Sequence, residues 1–254
     1  MGKTSLLRWV ERHVGEVWPG WPVVWVDAGA LDERSPMGLM RAIEESLKEE
    51  RPSLFPMVLL VDEAAALAAP GNGFDASFLG LLRAAGQKQQ LVWVSTSHAD
   101  LHQLFHEDHL TSPFLNDSLK IQVGALEAEA ADALLAQELG KRWALAVLEE
   151  AGRLPYPLQW MADALFRDPV LDRAADAMRE ALEPAFDSWW RWRDGDEKRL
   201  LGACVVGVEL AGLASHDRRI LRRLVARGLI LEDAGRFTLP GAAWRDFVAE
   251  HRHG

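Results

Sequence analysis

An unbroken run of five apolar residues, from Met57 to Val61, restricts the fold of this chain more than any other feature. A strand with one solvated face alternates apolar and polar residues, whereas a continuous apolar run is typical of a strand buried on both faces of a parallel sheet. The run from Leu91 to Ser95 has the same character, and a third β-rich run extends from Val23 to Asp27. The sequence therefore predicts a parallel sheet covered by helices on both faces.

Segments with helical periodicity separate these strands. The spacing of apolar residues predicts helices over 5–14, 36–50 and 74–86, and residues 119–123 are predicted to form a last strand. Strands thus alternate with helices through the first half of the chain, which is the pattern of an α/β protein with a parallel, three-layer sheet.

The pattern changes in the second half of the chain. Residues 127–186 have helical periodicity without any strand signal. In residues 188–254, helices are predicted at about 196–206 and 216–227, and two short β-like pieces follow around the turn Asp233-Ala234-Gly235. Helices followed by a small hairpin are typical of a winged helix.

The tripeptide Gly2-Lys3-Thr4 precedes the first predicted helix and matches the end of the phosphate-loop pattern G-x-x-x-x-G-K-[ST]. Gly2 would let the backbone approach a phosphate, Lys3 would reach the β- and γ-phosphates, and the Thr4 hydroxyl would coordinate Mg²⁺. The helix N-terminus adds a favourable dipole for an anion. Three residues often match by chance, so this motif needs support from elsewhere in the chain.

That support comes from Asp62 and Glu63, two adjacent acids at the end of the buried run. In a P-loop ATPase, Asp62 would hold Mg²⁺ through water, and Glu63 would be the general base that polarises the attacking water. The alternative is a pair of solvated acids at a strand end. The strand–helix alternation between the two motifs favours the ATPase.

Thr96 and Ser97 follow the strand Leu91–Ser95. A small polar side chain at this position can contact a γ-phosphate, and Thr96 is the first candidate and Ser97 the second. A plain loop or a helix N-cap is the alternative for either residue.

Together these elements resemble the AAA+ superfamily, and more closely its STAND branch of signal-transduction ATPases. Arg153 stands where the lid motif of that branch has its second glycine. The resemblance covers nearly the whole chain, through Met1 to Leu7 (phosphate loop), Val58 to Glu63 (second nucleotide motif), Glu127 to Leu135 (lid start), Ala151 to Gln159 (lid Gly-Gly-x-Pro motif), and Trp190 to Leu201 with Leu221 to Leu231 (winged helix).

The resemblance implies an ATPase core at residues 1–124, a helical lid at 125–187 and a winged helix at 188–254. It also implies ATP or ADP binding with Mg²⁺, slow hydrolysis, and a switch role in which the lid and winged helix report the bound nucleotide to a protein partner or a flanking effector domain. By the same resemblance, nucleotide contacts would come from Gly2, Lys3, Thr4, Ser5 and Pro155.

One departure from the family concerns the start of the chain. The family has a strand and a glycine before the position of Met1, and that strand lies in the middle of the sheet. We expect Met1 to be an internal methionine of a longer protein, with a natural degenerate ATPase as the alternative. As it stands, the chain is expected to hydrolyse ATP weakly or not detectably.

The net charge of −10 argues against general nucleic-acid binding unless positive charge is gathered locally. Arg218, Arg219, Arg222 and Arg223 gather such charge on the predicted recognition helix, so a winged-helix DNA-binding regulator modulated by nucleotide is one alternative function. A degenerate protein-interaction module is another. The lone Cys204 and the lack of a long apolar segment or a signal peptide predict a cytoplasmic protein without a membrane span.

One cluster of histidines and one of tryptophans are predicted to have mainly structural roles. His98, His102, His106 and His109 have a spacing that could bind Zn²⁺, but a polar surface helix is favoured because no cysteine accompanies them. Trp189, Trp190 and Trp192 could form a partner-binding patch, but packing between the lid and the winged helix is favoured.

Overall fold

The computed structural model describes residues 2–47, 55–69, 71–99, 101–105, 115 and 118–252. The chain divides into two compact units, Gly2–Lys120 and Ile121–Gly254. None of the described helices is long and apolar enough to cross a lipid bilayer.

The first unit contains a parallel sheet of three described strands in the order β1-β2-β3. The central strand β2 is buried at every residue, so the prediction made from its continuous apolar run is confirmed. These strands are β1 (Val23–Asp27), β2 (Met57–Asp62) and β3 (Leu91–Ser95).

Helices cover both faces of this sheet because alternate side chains of β2 point to opposite sides. Val58 and Leu60 pack against Leu7 and Val14 of the first helix. Leu59 and Val61 pack into a separate core with the helices that follow β1 and β2. The helices are α1 (Lys3–Val17), α2 (Pro36–Leu47), a 3₁₀ helix (Ala64–Ala68), α3 (Ala76–Gln87) and the short α4 (Leu101–Leu104).

The prediction of a strand at residues 119–123 is wrong. Residues 118–124 have no regular secondary structure, and the side chains of Leu119 and Ile121 are 86% and 69% exposed. An extended apolar run becomes a strand only beside another strand, because its N–H and C=O groups otherwise lack partners. No described strand pairs with this segment.

The second unit is mostly helical and contains a small antiparallel sheet of order β4-β6-β5. Its hairpin turns at Ala234-Gly235, where both residues have positive φ, as the predicted turn requires. One apolar core includes residues of its helices, of β4 and of β6. The helices and strands of this unit are α5 (Ala128–Leu139), α6 (Lys141–Ala151), α7 (Pro155–Arg167), α8 (Leu171–Arg191), α9 (Gly195–Cys204), β4 (Val208–Glu209), α10 (Ser215–Ala226), β5 (Leu231–Asp233), β6 (Arg236–Thr238) and α11 (Ala242–His251).

Two of the three clustered tryptophans help to build this core. Trp189 lies 5.3 Å from Phe186 and 5.5 Å from Trp244 between ring centroids, and Trp190 also packs against the core. Trp192 differs, since its side chain is 78% exposed. The packing interpretation therefore holds for Trp189 and Trp190 but not for Trp192.

Candidate functional site

Polar side chains gather at the carboxyl edge of the parallel sheet, where its strands end together. Asp62 is the last residue of β2, and Thr96 follows β3 by one residue. Asp62 is only 6% exposed and Thr96 only 8% exposed. Apart from Glu197 in the second unit, no other charged or polar residue among those described is so deeply buried. Burying a carboxylate costs free energy unless it is hydrogen-bonded, so hydrogen-bond donors are expected around Asp62.

Two donors satisfy one oxygen of the Asp62 carboxylate. The Thr96 hydroxyl donates to Oδ1, and the backbone N–H of Glu63 donates to the same oxygen at 3.1 Å. The Glu63 N–H also lies 3.1 Å from the Thr96 hydroxyl oxygen. No described cationic side chain forms an ion pair with Asp62. No hydrogen bond with a described residue engages the second oxygen. A carboxylate oxygen in this position suits Mg²⁺, because that ion keeps most of its waters and takes one or two protein oxygens.

Glu63 has an unusual backbone conformation directly after β2. Its φ of 50° and ψ of 41° lie in the left-handed region, which a residue with a side chain rarely adopts. The backbone of the next residue is fixed as well, since the Ala64 N–H donates to the Thr96 carbonyl at 2.8 Å. The Glu63 carboxylate contacts His98, with Oε2 3.1 Å from Nδ1. Strained backbone of this kind is concentrated at functional sites.

The helix α1 runs opposite to the strands. It ends at Val17, and only five residues connect it to the amino end of β1. The Arg8 guanidinium lies 3.5 Å from the ring centroid of Trp25, in the middle of β1, so the turn before Arg8 extends toward the carboxyl edge. Gly2 has φ 85°, which favours glycine, and among the described residues no side chain caps the first-turn N–H groups. Lys3 is half-buried, while Thr4 and Ser5 are exposed.

Other predicted site residues have different surroundings. The Ser97 hydroxyl accepts a hydrogen bond from the Ala99 N–H at 3.1 Å, so it shapes the turn after Thr96. Pro155 is in the second unit, at the start of α7. His106 and His109 lie outside the described residues, and no group of three or more potential metal ligands of the His, Cys, Asp and Glu types converges within the described part of the chain.

Two residues at this edge of the sheet, Asp27 and His98, are not predicted from the sequence to belong to the nucleotide site. Asp27 ends β1 directly opposite Asp62, and its Oδ1 accepts the Gly29 N–H at 2.9 Å. An acid directly after a β-rich run, as at Asp62, is the signal that could have identified it. The sequence predicts that His98 lies on a polar surface helix, with a zinc site as the alternative. Its contact with Glu63 depends on chain folding that the spacing of residues does not reveal.

Comparison with solved structures identifies the fold independently of the sequence patterns. The Walker-type ATPase PABY2304 of Pyrococcus abyssi superposes with a TM-score of 0.59 at 13% sequence identity, over 93% of this chain and 88% of that one. The Aeropyrum pernix ORC2 protein, solved in ADPNP–ADP complexes, gives a TM-score of 0.53 at 12% identity, over 99% of this chain and 85% of the other. The chain has the fold of these two proteins.

At this level of identity the likeness concerns the fold alone. No protein-family model and no curated protein matches the sequence. The buried carboxylate at the sheet edge and the glycine-led helix therefore have to be interpreted from their own geometry.

Proposed function

We propose that this chain is an ATP-binding regulatory module of the AAA+ type, close to the STAND branch, which hydrolyses ATP slowly. The observation that carries the proposal is the buried pair Asp62–Thr96 at the carboxyl edge of the sheet. Helix α1 has its N-terminus, with Lys3 and Thr4, on the side of this same edge. In open α/β sheets this edge is the usual ligand site.

Each side chain has a role that suits its chemistry. Lys3 would bind the β- and γ-phosphates, while Gly2 and the N–H groups near Ser5 would lie against phosphate oxygens. Thr4 and Asp62 would hold Mg²⁺, whose charge would offset that of the phosphates. Thr96 would contact the γ-phosphate, with Ser97 as the second candidate, and Pro155 would lie near the nucleotide.

Glu63 would act as the general base. Its carboxylate would accept a proton from water while the water oxygen forms a bond to the γ-phosphorus, and the bond to the bridging oxygen breaks to leave ADP. The left-handed backbone at Glu63 directs its side chain differently from that of Asp62, so two adjacent acids can serve two functions. The products are ADP and inorganic phosphate.

The proposed domains are a core at 1–124, a lid at 125–187 and a winged helix at 188–254. The order α9-β4-α10-β5-β6-α11 and the antiparallel pairing of β6 support the winged helix. In this proposal the module acts in the cytoplasm, and the second unit transmits the nucleotide state to a partner or a flanking effector domain.

Calorimetry with Mg²⁺-ATP and Mg²⁺-ADP tests the proposal. Wild-type chain should bind both, Lys3→Ala should weaken binding at least tenfold, and Asp62→Asn should lower the Mg²⁺ dependence. Lys88→Ala is a matched control, because Lys88 is an exposed lysine at the opposite edge, between α3 and β3. If the wild type binds neither nucleotide, the proposal is wrong.

The charge on α10 favours a second candidate function, contact with DNA phosphates. Arg219 and Arg222 are exposed, and no ion pair with a described residue engages them, whereas Arg223 lies 3.8 Å from Glu197. Two exposed guanidinium groups on neighbouring turns of an otherwise acidic chain are suited to a phosphate backbone.

Fluorescence anisotropy with a labelled DNA duplex tests this second function. Binding should weaken as salt is raised, and the double variant Arg219→Glu and Arg222→Glu should abolish it. Arg8→Glu in the first unit is the control for a general loss of positive charge. Binding that survives the double variant would exclude α10 as the contact.

A further inference from the structure

We infer that His98 is a positioning residue for Glu63, holding one oxygen of its carboxylate so that the other is presented to water. The contact joins Nδ1 of His98 to Oε2 of Glu63 at 3.1 Å. The role of His98 rests on the proposed function, because Glu63 has a proton to accept only if the chain hydrolyses nucleotide.

The backbone on both sides of this contact is fixed. The Glu63 N–H is bound by Asp62 and Thr96, and the Ala64 N–H by the Thr96 carbonyl. On the other strand, the Ser97 hydroxyl accepts from the Ala99 N–H and forms the turn that carries His98. The side chains of Glu63 and His98 therefore extend from backbone segments that the hydrogen bonds of Thr96 hold together.

The loop after β1 limits the space on another side of Glu63. A Cβ atom placed on Gly29 would lie 3.9 Å from the Glu63 Cβ, so this loop passes close to the base of the Glu63 side chain. The carboxylate at the other end of the side chain is held by His98. A general base oriented by a third group is a recurring catalytic arrangement, since orientation must be set before proton transfer.

The contact contributes little to stability, which makes its role testable. The side chains of His98 and Glu63 are 71% and 42% exposed. Exposed pairs of this kind hardly affect folding, so His98 can be replaced without unfolding the chain. The pair His216–Asp196 in the second unit is a matched control, with a distance of 3.2 Å and exposures of 63% and 53%.

The first test is turnover, measured with the chain in excess over radiolabelled ATP so that slow rates are resolved. His98→Ala should lower the hydrolysis rate about tenfold and leave nucleotide affinity within twofold. His98→Asn, whose amide N–H can replace the Nδ1–H donor, should recover most of the rate. His216→Ala should leave the rate unchanged.

The second test needs no nucleotide. Ring ¹⁵N signals of His98 should report a protonated Nδ1 in the wild type at pH 8, and Glu63→Ala should shift them while the His216 signals stay in place. A hydrolysis rate of His98→Ala within twofold of the wild type overturns the positioning role of His98. So do His98 ring signals that stay unchanged in Glu63→Ala. Binding of ATP without any turnover overturns it too, whereas absence of nucleotide binding contradicts the proposed function itself.

Discussion

The hydroxyl of Thr96 donates a hydrogen bond to the carboxylate of Asp62, joining the ends of two neighbouring parallel strands. The two residues are 34 positions apart in the sequence and among the most buried polar residues described. Their hydrogen bond gives a buried carboxylate a partner at Oδ1, and no described residue forms a hydrogen bond to its second oxygen. It is thus both a stabilising contact and the centre of the candidate site.

Thr96→Val is expected to destabilise the chain by about 1–3 kcal/mol, because the buried Asp62 carboxylate loses a donor while the side-chain shape is kept. Thr96→Ser keeps the hydroxyl and loses one methyl group, so it should cost about 1 kcal/mol or less. Urea unfolding of the three proteins measures the difference. Equal losses in the two variants would show that the hydroxyl is not what stabilises this site.

Glu197→Gln is expected to destabilise the second unit by about 3–5 kcal/mol. Glu197 is 4% exposed and lies 2.8 Å from Arg227 and 3.4 Å from Arg193. Burial, followed by the neighbouring Arg227, lowers the pKa of Arg193 below its usual value, so this arginine needs the negative charge of Glu197. Loss of that charge leaves the arginines to repel one another.

Glu209→Gln is the control for Glu197, because Glu209 is exposed and lies 3.7 Å from Arg236. It should change the unfolding free energy by less than about 0.5 kcal/mol. If both variants have the same small effect on the urea midpoint, the buried cluster is not essential.

Gly152→Ala should be far more damaging than Gly140→Ala. The two glycines have similar φ, 71° and 72°, so both variants carry a comparable backbone cost. A Cβ on Gly152 would lie 1.6 Å from the Pro240 carbonyl oxygen, whereas nothing lies within 4 Å of one on Gly140. The expected extra loss is about 1–3 kcal/mol, measured by thermal or urea unfolding. Similar losses would mean that the two loops are not in backbone contact.

Cys204 should not react with a thiol reagent in the folded chain. It is 1% exposed, and burial raises its pKa to about 12. Because the thiolate is the reactive species, modification at about pH 8 should be slow in buffer and complete in denaturant. Rapid modification of the native protein by a chromogenic disulfide would contradict the buried position.

The pair of Asp196 and His216 should make stability depend on acid pH. The hydrogen bond from His216, and then Arg199, lowers the pKa of Asp196 below its usual value. A carboxylate with a depressed folded-state pKa stabilises the fold above its unfolded pKa, and this contribution is lost as pH falls through the folded value. Asp196→Asn should therefore destabilise the chain slightly at about pH 6, and this small effect should shrink as the pH falls below the usual range of an aspartate, as measured by urea unfolding. An effect of unchanged size across that range would contradict this.

Much of the first unit was predictable because the signals are local. The apolar run of β2 requires burial on both faces wherever it lies, and helical periodicity located α1, α2 and α3 to within a few residues. Asp62, Glu63 and Thr96 were identified from their places just after such runs. The strand predicted at 119–123 was wrong because a strand also depends on a neighbour, which the segment itself does not encode.

The sequence by itself determined which segments are strands or helices in most of the chain, that β2 is buried on both faces, and which polar side chains end the strands, because these follow from periodicity and side-chain chemistry. Only the tertiary structure decided which of them meet. The pairing of β2 with β3 brings Thr96 to Asp62, and the left-handed backbone of Glu63 turns its carboxylate toward His98. Such contacts depend on strand register and backbone rotation, which are set by the packing of distant segments.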